Sequence, residues 1–178
     1  DLFLISTSGD LSFTSPQDYE DPSDINKDNS YDVEVTVTDS SLITKKTITI
    51  TVLNINDNKP IVTSDLSYDV DENELIVGSI TASDLDGSSL YYSTMSNDIS
   101  VNNETGAITF KEAPDYETKT QYTAVINVSD EDFEVEESIV ISINNLNDNA
   151  PVFTNSATTA AIDENDGRVP SSQTPSKL

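Results

Sequence analysis

Two short runs hold the densest chemistry of this chain, Asn54-Ile55-Asn56-Asp57-Asn58-Lys59-Pro60 and Asn145-Leu146-Asn147-Asp148-Asn149-Ala150-Pro151. Each packs side-chain amides and a carboxylate into five residues and closes on a proline. Other acidic groups recur around them: Glu72, Asp84-Leu85-Asp86-Gly87, Asp18-Tyr19-Glu20, Asp115-Tyr116-Glu117 and Asp130. Donor sets made only of oxygen are what a hard cation such as calcium takes. The chain contains no Cys and no His. That removes zinc–thiolate sites, cysteine nucleophiles and the usual general base. Asp84 and Asp86 have the residue types of a glycosidase pair. Cation binding explains them better, and the chain reads as a binding protein rather than an enzyme. The Asp84 turn also begins like an EF-hand loop, but the closing Glu and the flanking helices are missing.

The charge balance points the same way. Lys and Arg number 8 against 33 Asp and Glu, a net charge of −25 over 178 residues. Nucleic acid is excluded as a partner, because phosphate binding needs a basic face. Such acidity either solubilises a surface or waits to be neutralised by bound cations; the spacing of the groups favours the second. Apolar content is 35%, gathered in alternating runs, which argues against disorder. No stretch is long enough to cross a bilayer. The chain starts mid-pattern, so a leader or anchor is expected to lie outside it.

The elements that must position these groups repeat. Tyr31, Val33, Val35, Val37 and Asp39 return 91 residues later as Tyr122, Ala124, Ile126, Val128 and Asp130. Ile48, Ile50 and Val52 return at the same offset as Ile139, Ile141 and Ile143. Upstream the offset is 97: Gly9, Leu11 and Phe13 match Gly106, Ile108 and Phe110, and Asp18-Tyr19-Glu20 matches Asp115-Tyr116-Glu117. The first copy therefore carries six extra residues between Glu20 and Tyr31, where a loop absorbs them. Val70-Asp71-Glu72-Asn73 resembles Ile162-Asp163-Glu164-Asn165. These matches predict the back part of one copy over 1–59, a complete copy over 60–150, and over 151–178 the opening of another followed by an unstructured tail.

Period-two alternation, β-branched residues and Gly/Asn/Asp punctuation predict strands throughout and no helix. Thr47–Leu53 sets isoleucine and valine on one face and threonine on the other, as a sheet with one buried face requires. Copies of about 90 residues with six or seven short strands predict an all-β, tandem, immunoglobulin-like β-sandwich. Strand ends gather at the two poles of a sandwich, so carboxylates distant in sequence can meet there.

In this order, Glu72, Asp84-x-Asp86, Asp115-x-Glu117, Asp130 and N-x-N-D-N-x-P resemble the motifs of tandem cadherin repeats over roughly residues 1–165. The resemblance implies Greek-key sandwiches with calcium at each junction. The implied ligands at the first junction are Asp18 and Glu20, the Ile55 and Asn58 carbonyls, Asn56, Asp57, Asp84, Asp86 and Asp130. At the second they are Glu72, Asp115, Glu117, the Leu146 carbonyl and Asp148. The early Glu of the front copy and the forward half of the second junction are not in this chain, so both are expected to bind incompletely. Asn54 and Asn145 stand where the family has Asp, and the middle residues Tyr19 and Tyr116 lie outside the ligand set. The implied function is a calcium-binding, extracellular adhesion module whose linkers stiffen with calcium. Its partners would be other cadherin-like repeats or a cell-surface or matrix ligand, and this segment itself would not contact the membrane. The family's strand-exchange anchor is a tryptophan, and this chain has none. The alternative is a carbohydrate- or matrix-binding, or spacer, module of a large microbial surface adhesin. Residues 1–59 are expected to be the least stable part. Two N-glycosylation sequons, Asn103-Glu104-Thr105 and Asn127-Val128-Ser129, complete the motifs.

Overall fold

A computed structural model describes residues 1–152 and Glu164. The chain divides into two compact units, Asp1–Asn144 and Asn145–Leu178. The first holds thirteen strands and, among the described residues, no helix occurs. The expected opening of a further repeat over 151–178 falls, apart from its first two residues and Glu164, outside the described residues.

Residues 60–144 form a two-layer sandwich. One layer has the order β6 (Ser67–Asp71), β13 (Glu134–Asn144), β12 (Gln121–Ser129), β9 (Tyr91–Thr94). The other has the order β10 (Ile99–Val101), β11 (Ala107–Phe110), β7 (Ile76–Ser79). β5 (Ile61–Val62) and β8 (Ala82–Ser83) form a separate pair. Nine strand segments thus stand where six or seven were expected. Two of the extra segments arise because two stretches change partner: β5 pairs antiparallel with β8 and β6 parallel with β13, while β7 pairs with β11 and β8 with β5. That change of partner lets each stretch of chain serve two places in the fold.

The alternation seen in the sequence becomes the core. Ile126 and Val128 of β12 and Ile139 and Ile141 of β13 are fully buried, and Ile80, Ile99, Ile108 and Phe110 meet them from the opposite layer and its connections. Each fully buried isoleucine contributes about 1.5–3 kcal/mol relative to exposure. Gly106 sits at φ 67°, and a Cβ there would fall 2.1 Å from the Ile80 carbonyl oxygen. Only glycine lets the two backbones approach this closely, with the Ile80 N–H donating to the Gly106 carbonyl at 3.0 Å.

Residues 1–59 supply two hairpin-like pairs. β1 (Phe3–Ile5) pairs with β2 (Leu11–Phe13), and β3 (Ser30–Thr38) pairs with β4 (Ile43–Thr51). Phe3, Phe13 and Tyr31 stack across them, ring centroids 4.5–5.9 Å apart. Tyr31 is buried, but Val37 is 67% and Ile48 38% exposed. The one-sided face expected of Thr47–Leu53 is present, and it is only half covered.

In the second unit the described residues 145–152 contain no strand. The Asp148 N–H donates to the Leu146 carbonyl at 3.0 Å, and Asn149 Nδ2 donates to Asp148 Oδ1 at 2.8 Å. The N-D-N run therefore curls on itself as an Asx-rich loop does.

Candidate metal centre

The first polar run meets the start of the sandwich through Asp86. This carboxylate ends a turn that begins at Asp84, whose Oδ1 accepts the N–H groups of Asp86 at 2.9 Å and Ser88 at 3.3 Å. Asp86 Oδ2 in turn accepts the N–H groups of Asp57 at 3.1 Å and Asn58 at 2.8 Å, and Oδ1 accepts Asn58 Nδ2 at 2.8 Å. Asn54 Nδ2 donates to the Asp86 carbonyl at 2.8 Å, a bond that an aspartate at this position could not make. Asn56 is held on both sides of its amide: Ser88 Oγ donates to its oxygen at 3.1 Å, and its nitrogen donates to Asp132 Oδ2 at 3.3 Å.

From the front copy, Asp18 Oδ1 accepts the Glu20 and Asp21 N–H groups at 3.0 and 3.2 Å. This Asx turn directs Glu20 to the same place. One carboxylate oxygen from each of Glu20, Asp57 and Asp86 lies within 4.8 Å of the other two. Burial pushes the Glu20 carboxyl above its usual range, and the charges of Asp86, Asp57 and Asp18 add to it. Asp86 is also pushed up by burial, but the Asn58 side chain and N–H, Glu20 and the Asp57 N–H outweigh that and hold it below the carboxylate range.

Asp130 comes from the end of β12. Its Oδ1 accepts the N–H groups of Asp132 and Phe133, both at 2.7 Å. Burial pushes this carboxyl up too, and the Phe133 and Asp132 N–H groups with the Asn56 amide bring it below its usual value. The other oxygen, Asp130 Oδ2, is buried and accepts no hydrogen bond; so are Glu20 Oε1 and Asp84 Oδ2. Buried acceptors are usually paired, so three bare ones on three separate segments are an arrangement that could hold a cation. All donors here are oxygens, the chemistry that suits a hard cation.

The residues expected at the second junction divide between the units. Glu72 is 1% exposed and its Oε2 accepts the Tyr116 N–H at 2.9 Å. The Asn73 N–H donates to the Pro114 carbonyl at 2.9 Å, so the Glu72 turn is fastened to the Asp115 turn twice. Asp115 accepts from Thr118 Oγ1 at 2.7 Å and from the Glu117 N–H at 3.0 Å. The Thr118 hydroxyl is the main reason its carboxyl sits below the usual range. Leu146 and Asp148 belong to the second unit.

Asp18, Glu20, Asn56, Asp57, Asn58, Asp84, Asp86 and Asp130 thus fall in one hydrogen-bonded neighbourhood, and Ile55 lies within that run with its side chain exposed. Sequence reasoning passed over Asp132, which holds Asn56. The signal was available: Asp130-Glu131-Asp132 has the same D-x-D spacing as Asp84-Leu85-Asp86.

No protein-family model matches the chain. A curated relative, the Fat-like cadherin-related tumor suppressor homolog of Drosophila melanogaster, is 32% identical over 163 residues, 85% of this chain and 3% of its own length. Drosophila Neural-cadherin is 38% identical over 132 residues, 69% of this chain and 4% of its own length. The chain therefore spans only a few per cent of these relatives. Among solved structures, the protocadherin gammaB7 EC3-6 cis-dimer superposes with a TM-score of 0.71 at 24% identity, covering 85% of this chain and 40% of that one. Mouse Cadherin-23 EC22-24 gives 0.69 at 22% identity, covering 86% and 53%. Sandwich topology, motif order and sequence identity agree: this chain belongs to the cadherin repeat family.

Proposed function

We propose that the chain is a calcium-binding adhesion and spacer segment of an extracellular protein, in which calcium stiffens the passage from one repeat to the next. The observation that carries this reading is the set of bare, buried oxygens on Glu20, Asp84 and Asp130. At the first junction the ligands would be Asp18, Glu20, the Ile55 carbonyl, Asn56, Asp57, the Asn58 carbonyl, Asp84, Asp86 and Asp130. At the second they would be Glu72, Asp115, Glu117, the Leu146 carbonyl and Asp148. The repeat boundaries would fall after Lys59 and after Ala150, with residues 151–178 opening a further repeat. The partners would be other cadherin repeats or a cell-surface ligand.

The physics follows from charge. Gathering Glu20, Asp57 and Asp86 without a counter-ion raises the free energy of the folded arrangement, because like charges at a few ångströms repel. A bound divalent cation turns that repulsion into attraction, and it fixes the linker because its ligands come from both sides of it. Acid acts as chelation does, since protonated carboxylates are poor ligands. Calcium titration by calorimetry, with small-angle scattering before and after chelation, tests the reading. Calcium uptake with a longer, stiffer particle is expected. Unchanged dimensions and no binding heat would overturn it.

A further inference from the structure

The two sequons, Asn103-Glu104-Thr105 and Asn127-Val128-Ser129, supply none of the junction ligands, and they stand in contrasting places. Asn127 lies midway along β12, which is paired on both sides, with Glu136 of β13 and Ser93 of β9 opposite it. Ile126 and Val128 beside it are buried, so Asn127 is on the outer face of the sheet. It is half-buried there, and its Nδ2 donates to Glu134 Oε1 at 2.5 Å. This amide is a cross-strand clasp between β12 and β13.

Asn103 sits in the turn between β10 and β11, where Asn102, Asn103, Glu104 and Thr105 are all exposed. The turn is built without the Asn103 side chain. Asn102 Oδ1 accepts the Glu104 and Thr105 N–H groups at 3.0 and 2.9 Å. The Gly106 N–H donates to the Asn102 carbonyl at 3.0 Å, and the Asn102 N–H to the Ala107 carbonyl at 2.8 Å. Asn103 contributes its backbone: its carbonyl accepts the Tyr92 N–H at 2.8 Å. β9 and β10 are the outer strands of their layers, so this bond closes the seam between them. The Asn103 amide contact, Nδ2 to the Tyr92 carbonyl, is long at 3.4 Å. An amide nitrogen carries two protons, so that contact survives replacement of the other one. Thr105 Oγ1 accepts the Ala107 N–H at 3.4 Å, a bond that does not use its O–H proton.

We propose that Asn103 is an N-glycosylation site and that Asn127 is not. This rests on the extracellular reading, because the sugar donor is met along the secretory route. The donor is an oligosaccharide joined through its anomeric carbon to a lipid diphosphate. Under a transferase, Asn103 Nδ2 forms a C–N bond to that carbon. The bond from the carbon to the diphosphate oxygen breaks, its electron pair leaves on the lipid diphosphate, and one amide proton passes to the transferase. The product carries a hydrated sugar on an exposed turn whose own bonds do not involve the modified amide. Rooted at the seam, the sugar also covers the outer edges of β9 and β10, which would otherwise stay open to another chain. On β12 the same sugar would have to be fixed to an amide already clasped by Glu134 and flanked by two paired strands.

The test routes the whole 178-residue chain through the secretory pathway of human cells behind an added leader. Intact mass is read before and after peptide-N-glycosidase, and release in heavy-oxygen water marks the modified residue by its conversion to Asp. Wild type should lose the mass of one glycan, with the mark at Asn103. Thr105→Ala should abolish that loss while keeping the Asn103 amide, Thr105→Ser should restore it, and Asn127→Gln should leave it whole. Asn103→Gln serves if Thr105→Ala does not fold. A wild-type chain recovered from the pathway with no enzyme-sensitive mass, or with its glycan on Asn127, would overturn the proposal. Calcium titration of the same deglycosylated material reads the junction separately, so a missing glycan and a missing calcium site are told apart.

Discussion

The hairpins β3–β4 and β12–β13 share a pattern and a register: Tyr31 faces Ile50 as Tyr122 faces Ile141, and Thr38 faces Ile43 as Ser129 faces Glu134. Their surroundings differ. Ile139 is fully buried, whereas Ile48, its counterpart 91 residues earlier, is 38% exposed. The complete copy lays a three-stranded layer over its hairpin, while among the described residues the strands packed on the front hairpin are the short pair β1–β2. The polar ends repeat the contrast. Asp39 Oδ1 accepts the N–H groups two and three residues on, at 3.1 and 2.9 Å, as Asp130 Oδ1 does at 2.7 Å. Yet Asp39 is exposed, and Asp130 is buried with its second oxygen bare. Local sequence makes the same turn twice, and packing decides which turn keeps a buried, unpaired oxygen.

Matched substitutions would break that comparison most sharply. Ile139→Ala should cost about 2–5 kcal/mol, the range for an isoleucine deleted from a tight core. Ile48→Ala should cost roughly 1 kcal/mol or less, because much of that side chain already meets water. Denaturant unfolding of both variants decides it; equal losses would show the two hairpins to be equally packed.

The next effect belongs to the ligands. At a hundredfold excess over its dissociation constant, each calcium ion should add about 2.7 kcal/mol. Asp130→Asn should remove part of that gain, and Asp39→Asn should leave it whole. Thermal melts with calcium and with chelator would show it, and a matching loss in both variants would erase the distinction drawn between them.

Asn54→Ala removes the bond to the Asp86 carbonyl at an exposed position, so a loss of about 1 kcal/mol or less is expected in the same melts.

The last effect is one of direction. Glu20 is pushed up in the fold, so it binds its proton more tightly there than in the unfolded chain. Without calcium it costs stability as pH rises above its ordinary 4.5. Asp86 and Asp130 work oppositely: their contribution is present above their ordinary 3.8 and is lost as pH falls through the lowered folded values. Glu20→Gln should therefore melt higher than wild type near neutrality in chelator, with the difference fading in acid. In calcium the order should reverse, because a ligand is gone. Melts of both proteins across pH in both conditions test the reversal.

Much of this was legible from residue order. The all-β class follows from alternation, because apolar side chains two apart share a face and that face must be buried. The repeat offset of 91 anticipated the paired registers, since the hairpins differ in residues but not in length. The acidic motifs could be found because carboxylates are rarely concentrated without a reason. Asp132 and Asn54 were missed as contacts because a hydrogen bond between residues 76 or 32 apart leaves no local mark.

What the sequence determined by itself is the all-β class, the faces of the long strands, the turns at Asp84, Asp115 and Asp130, and an oxygen-only chemistry, for all of these depend on neighbours within a few residues. What only the tertiary structure decided is which oxygens are out of water and unpaired. Glu20, Asp84 and Asp130 come from three parts of the chain. Desolvation depends on what packs over an atom, and that is set by segments far away in the chain rather than by the residue's neighbours.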